Sequence, residues 1–154
     1  MRRSEKAVTA EADLEAILRS GKICQLAIPA DPAPYLVSLN FGYRDKALYF
    51  HSAPAGRKIE LLRANPQVAF TVAIDLGLVR GERACNWSNR FRSVVGRGRI
   101  VFLEEAGRKR EGLDSIMAQY SSDEDFSYPD EILAKTLVYK LVIEEMTGKQ
   151  SRVD

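Results

Sequence analysis

The segment "YFHSAPAGRKIELL", Tyr49 to Leu62, gathers the residue types with the most chemical capacity in this 154-residue chain. It holds the only histidine, His51, followed by the Ser52 hydroxyl, a run of small residues, and Gly56-Arg57-Lys58 at the head of a helical pattern. A helix N-terminus has free N–H groups and the positive end of the peptide dipole, so it suits an anion. Ser52 can donate a hydroxyl, and Gly56 lets the backbone approach closely. Arg57 can grip a phosphate with two parallel donors, and Lys58 adds a point charge. A solvated Arg-Lys pair is the plainer reading, although two cations there oppose the helix dipole. His51 stays open in the same way. It is either a half-buried residue at a strand end or a group that stacks on a ring, donates to a substrate or moves a proton.

Two further groupings carry polar chemistry. Ser38, Asn40 and Gly42 alternate along one face of "YLVSLNFGY". They read either as solvent-facing or as a strand laid against a planar polar ligand, with Asn40 offering both donor and acceptor. "ERACNWSNRFRSVVGRGR", 82–99, carries Arg83, Arg90, Arg92, Arg97 and Arg99 with the only tryptophan, Trp87. Basic and aromatic residues interleaved in this way also suit nucleic acid. A strand, however, divides these arginines between two faces, and the formal net charge is only +2, which argues against nucleic acid. A solvated edge or a subunit interface accounts for them equally well. Gly96 and Gly98 on one face suggest close approach of a ligand or of another backbone.

Other classes are disfavoured. One histidine with Cys24 and Cys85, which lack any CxxC or Cys/His spacing, predicts no metal site and no disulfide framework. No apolar run approaches the roughly 20 residues of a membrane span, and "MRRSEKAVTAEAD" lacks the apolar core of a secretory signal. The expectation is a single cytoplasmic domain spanning 1–154, with no membrane partner.

The elements that must position these residues are legible from periodicity. Leu14, Ile17 and Leu18 mark one face of a first helix, with Thr9 as candidate N-cap and Gly21 at its end. Strands are expected at 23–28, 35–43, 47–52, 67–75, 91–103 and 137–145, the second and third joined as a hairpin by "RDK". Tyr35, Val37, Leu39, Phe41 and Tyr43 share one face of their strand, and Leu36, Ser38, Asn40 and Gly42 share the other. A short helix should run from Gly56 to Ala64 with Ile59 and Leu62 buried, and end at Asn65-Pro66. A third should cover 106–120 with Leu113, Ile116, Met117 and Tyr120 aligned, and a fourth should occupy "PDEILAK". Residues 76–90 read as an irregular connection and "MTGKQSRVD" as a polar tail. Six strands with few intervening helices and no GxGxxG, P-loop or GxSxG motif predict a mainly β protein, a small, mostly antiparallel barrel with peripheral helices.

The order of segments also resembles a known family. "PYLVSLNFGY", "ALYFHSAPAGRKIELLRANP", "RFRSVVGRGRIVFLEE" and "IEEMTGK" occur in the order seen in the FMN-binding split-barrel proteins related to pyridoxamine 5'-phosphate oxidase. The likeness is greatest to the nitroimidazole-resistance (Nim-type) branch, and it covers nearly the whole chain. It implies a six-stranded split barrel, a homodimer, and FMN at the subunit interface. It further implies that Arg57 and Lys58 hold the FMN phosphate with Ser52 nearby, and that Val37, Ser38, Leu39 and Asn40 run along the isoalloxazine. The same resemblance puts His51 in the place of the active-site histidine and makes Trp87, Arg92 and Ser93 the candidates for completing the pocket from the partner subunit. The expected activity is an oxidoreductase passing electrons from reduced flavin to a small acceptor, a nitro-aromatic or a quinone. A non-catalytic protein holding flavin, deazaflavin or haem in the same barrel is the alternative. The Arg-Leu segment through which the true oxidase holds its vitamin substrate does not follow the last strand, so oxidation of pyridoxamine phosphate is not expected.

Overall fold

A computed structural model describes residues 4–123 and 125–153. The first three residues of the stretch that lacks a secretory signal, and the last residue of the polar tail, lie outside the described residues. The strands are β1 (Ala7–Val8), β2 (Ile23–Ile28), β3 (Tyr35–Asn40), β4 (Gly42–Arg44), β5 (Ala47–Ser52), β6 (Gln67–Val79), β7 (Ser88–Leu103) and β8 (Leu137–Ser151). The helices are α1 (Glu11–Ser20), α2 (Arg57–Ala64), α3 (Ala106–Met117) and α4 (Asp130–Lys135). One antiparallel sheet runs in the order β3-β2-β6-β7-β8-β5-β4, with β1 added to β8. The two ends of this path are joined in sequence, because β3 passes into β4 through Phe41. The expected mainly β split barrel with peripheral helices is therefore the architecture observed.

Eight strands stand where six were expected. β1 is a two-residue addition, and the continuous strand expected at 35–43 is broken at Phe41. The break is needed because the chain leaves its pairing with β2 and begins to pair with β5. Phe41 is fully buried, and its N–H is accepted by Tyr120 Oη at 3.2 Å instead of by a neighbouring strand. The alternation itself holds: Tyr35, Val37, Leu39, Phe41 and Tyr43 all pack into the barrel core. The β4–β5 turn places Asp45 and Lys46 at φ 50° and 57°, the left-handed pair that suits the twist of a tight hairpin.

Three other expectations change. Residues 76–90 are strand at both ends, because β6 runs on to Val79 and β7 begins at Ser88, which leaves only 80–87 as the irregular connection expected there. The bulge that permits this is held by Asp75, whose carboxylate accepts from Gly77 N–H (2.9 Å) and Asn89 Nδ2 (2.7 Å). The tail at 146–151 is likewise strand, paired to the start of β7. Thr9 does not cap α1; the N-cap position is Ala10, with no side-chain cap.

Helix α3 is rotated from the expected face. Gly112, Ser115 and Ile116 are buried, whereas Tyr120 is exposed. Small residues let this helix sit directly on the barrel wall, where a Cβ at Gly42 would lie 2.0 Å from the Ser115 carbonyl oxygen. Gly42 is thus covered by protein and does not belong to an open polar face with Ser38 and Asn40. Gly96 and Gly98 are also filled by protein, by the Phe70 ring and the β8 backbone. Under α3 a second cluster forms from Ala47, Tyr49, Leu103, Ile116 and Val138. Strand β5 is consequently buried on both faces, which explains why "ALYF" is a continuous apolar run.

Candidate functional site

Alternation along β5 decides where its last two residues point. Leu48 and Phe50 face the barrel core, while Ala47 and Tyr49 face α3. His51 therefore falls on the outer face, paired with Val138, and Ser52 on the inner face, paired with Leu137. β4 pairs only with Ala47–Tyr49, so the end of β5 is bonded to β8 alone, as β3 is bonded to β2 alone. The sheet is open between β3 and the end of β5. Helix α2 starts there, directs Ile59 and Leu62 into the core, and packs near β2.

The head of α2 carries the charge. Its N-cap, Gly56, has φ 119°, a conformation that side chains rarely adopt, and no side chain caps the helix. The first N–H groups of α2 have no carbonyl within the helix to receive them. Among the described residues neither Arg57 nor Lys58 forms an ion pair. Lys58 is half-buried, and that burial lowers its pKa. An unpaired, partly desolvated ammonium beside free N–H groups is a poor arrangement for a helix alone and a good one for an anion. Burial and the Lys58 charge together hold the His51 pKa below the ordinary imidazole value, so at neutral pH the ring is uncharged and can both donate and accept. Ser52 Oγ donates to the Ala53 carbonyl at 2.8 Å.

The structure thus brings His51, Ser52, Arg57 and Lys58 to one place. It links them to β3 through Tyr35, whose ring centroid lies 5.5 Å from the Arg57 guanidinium carbon. From there the outer face of β3 presents Ser38 and Asn40, both exposed. Val37 and Leu39 direct their side chains into the core, so a ligand along β3 meets only their backbone. The strand's free edge supplies such groups, because half of its N–H and C=O groups point away from β2. Asn40 is held by Tyr120, whose hydroxyl accepts from Asn40 Nδ2 (3.2 Å) and donates to the Lys22 carbonyl (2.5 Å).

Trp87, Arg92 and Ser93 are not part of this cluster within one chain. Ser93 pairs with Lys149 and Arg92 with Gln150, whereas Ser52 pairs with Leu137 near the other end of β8. Twelve residues of strand correspond to about 40 Å of chain path. Trp87 lies at the tip of the β6–β7 hairpin, donating Nε1–H to the Gly81 carbonyl at 2.8 Å. Two site residues escaped the sequence reading. The sequence aligns Tyr120 with Leu113, Ile116 and Met117 on a helix, and Tyr35 with the apolar face of its strand. Contacts between segments distant in sequence place both, and no local pattern signals them.

A family model described as pyridoxamine 5'-phosphate oxidase matches residues 10–150. The chain belongs to that family. Within its fold, the protein is similar to a provisionally assigned 5-nitroimidazole antibiotic resistance protein from Bacteroides thetaiotaomicron. The two are 36% identical, with 94% of this chain and 86% of that one covered at a TM-score of 0.83. The likeness to the nitroimidazole-resistance branch read from the sequence is in agreement. A flavocytochrome from Azotobacter vinelandii shares the fold, with TM-score 0.86, 23% identity, and coverage of 99% and 72%. An FAD-binding protein from Mesorhizobium loti gives TM-score 0.68, 25% identity, and coverage of 93% and 96%. No curated protein sequence matches the chain significantly. No helix among the described residues is long and apolar enough to cross a membrane.

Proposed function

We propose that this protein is an FMN-binding oxidoreductase acting as a homodimer. The observation that carries the reading is the pair Arg57 and Lys58, without an ion pair among the described residues, at the open head of α2 beside the edge of β3. The cations, the α2 N–H groups and Ser52 suit the flavin phosphate. β3 extends about 17 Å from Tyr35 to Asn40, enough for a flavin to lie along it with its ring toward Ser38 and Asn40. Bound there, the flavin supplies the redox chemistry, delivering electrons to a small acceptor such as a nitro-aromatic or a quinone. His51, neutral and reachable, orients that acceptor or hands it a proton.

The homodimer rests on the outer face of the sheet. Leu36 is 67% exposed and Val95 54%, and with Gln25, Ala27, Ala69 and Thr71 they line a shallow, mostly apolar hollow of about 290 Å³. Such a face beside Ser38 suits a second copy. The partner subunit's Trp87, Arg92 and Ser93 then reach the pocket that they cannot reach within one chain.

The test is the visible spectrum of the purified protein, with mass analysis of the released cofactor and turnover with a nicotinamide donor and a nitro-aromatic. The reading expects flavin absorbance, FMN by mass, and turnover. Protein without flavin absorbance and without affinity for added FMN overturns it. The similar FAD-binding protein makes the dinucleotide the second candidate, which the mass distinguishes. Flavin binding without turnover favours a carrier or sensor.

A further inference from the structure

Tyr139 lies fully buried in the barrel, and among the described residues its hydroxyl makes no hydrogen bond of good geometry. Two other buried tyrosine hydroxyls also lack partners, but each has a carboxylate beside it, Glu15 near Tyr43 and Asp114 near Tyr128. The Cys24 thiol and the Ser52 hydroxyl are the polar groups that act on Tyr139. Its ring cannot swing away. It is stacked on Phe50, centroids 5.5 Å apart, and tilted against Phe102 at 5.8 Å. Tyr139 pairs directly with Phe50, and Ser52 is the next inward residue along β5. The Tyr139 hydroxyl is therefore held beside Ser52, with no hydrogen bond of good geometry among the described residues. Above it, Ser52 spends its own proton on the adjacent Ala53 carbonyl.

We propose that Tyr139 is a positioning residue for the cradle: its hydroxyl donates to Ser52 Oγ and so turns the Ser52 O–H toward the phosphate of the bound flavin. The proposal rests on the assignment of Arg57, Lys58 and Ser52 as the phosphate site. A small rotation of Ser52 satisfies both ends together. It gives the buried phenol an acceptor and exchanges a local bond to Ala53 for a charge-assisted bond to the anion. The interior hydroxyl makes Ser52 a better donor, because a hydroxyl that accepts a hydrogen bond gives its own proton more strongly.

The experiment titrates flavin-stripped protein with FMN and with riboflavin, which lacks the phosphate, and compares Tyr139→Phe, Ser52→Ala, their double variant and Arg57→Ala. Tyr139→Phe keeps the ring stack and removes only an unpaired hydroxyl, so its thermal midpoint should match or exceed that of the parent. FMN affinity should fall roughly 5- to 20-fold in Tyr139→Phe and at least as far in Ser52→Ala, with riboflavin affinity unchanged. The double variant should be no weaker than Ser52→Ala, since Tyr139 acts through Ser52. FMN affinity unchanged in Tyr139→Phe, or FMN and riboflavin weakened equally, overturns the proposal. So does an additive double variant or an ineffective Ser52→Ala. Arg57→Ala separates the two levels. If it leaves the preference for FMN over riboflavin intact, the cradle assignment itself has failed.

Discussion

The Arg57 guanidinium lies over the Tyr35 ring, 5.5 Å from carbon to centroid. This contact joins the head of α2 to the start of β3 across the opening in the barrel. It stations one cation where the phosphate end of a ligand lying along β3 would be. A cation over a ring keeps its in-plane donors free, so Arg57 is steadied without being consumed.

Arg57→Ala combined with Lys58→Ala should weaken FMN retention about 100-fold or more, since each removes a charge-assisted contact worth roughly 1.5–3 kcal/mol. Fluorescence titration of the flavin-stripped protein measures it. Retention equal to the parent's sinks the phosphate role.

His51 is the only histidine, so a single imidazole signal reports it in solution. Burial and Lys58 lower its pKa, and the midpoint in flavin-free protein should fall below the ordinary value of about 6.5. Lys58→Ala should raise it. The sign for stability follows. The unfolded chain protonates first as pH falls, so the contribution of His51 is complete above about 6.5 and is lost as pH descends through the folded-state pKa. His51→Gln should flatten that part of the stability profile. A titration midpoint at or above 6.5 contradicts the environment described for the ring.

His51→Ala should lower turnover with a nitro-aromatic by about 10²-fold or more if the ring transfers a proton, while FMN affinity changes little. Steady-state kinetics beside a flavin titration separates the two. Normal turnover together with normal binding returns His51 to an ordinary strand-end residue.

Gly42→Ala should destabilise the fold by about 1–3 kcal/mol, because the added methyl meets the Ser115 backbone carbonyl and not a side chain that can turn aside. Chemical denaturation is the measurement. A variant as stable as the parent would falsify the close seating of α3 on β4.

Leu36→Glu together with Val95→Glu should convert the proposed dimer into monomer by placing charge on the apolar outer face. Sedimentation velocity reads the outcome. A parent protein that is monomeric with flavin bound removes the dimer from the proposed function.

Local pattern was enough to place β2, β5 and α2, and the hairpin turn at Asp45-Lys46, because periodicity and turn chemistry act over a few residues. It was also enough to single out Arg57 and Lys58, since two cations at a helix head contradict the dipole wherever the helix sits. The break at Phe41, the far end of β6, the start of β7 and the strand at 146–151 were not legible. Each depends on what the neighbouring strand offers for pairing, and polar residues such as Lys149 and Gln150 accept a strand conformation only because β7 is beside them. The face that α3 buries differs from the expected one because Gly112 and Ser115 carry little hydrophobic signal, although their small size is what lets the helix dock. The sequence alone determined the composition of the site: one histidine, one hydroxyl and two cations within eight residues. Only the tertiary structure decided that β3 runs up to them, that Val37 and Leu39 turn inward, and that Tyr139 lies near Ser52. Those relations come from the register of strands far apart in the chain, and no short-range pattern encodes them.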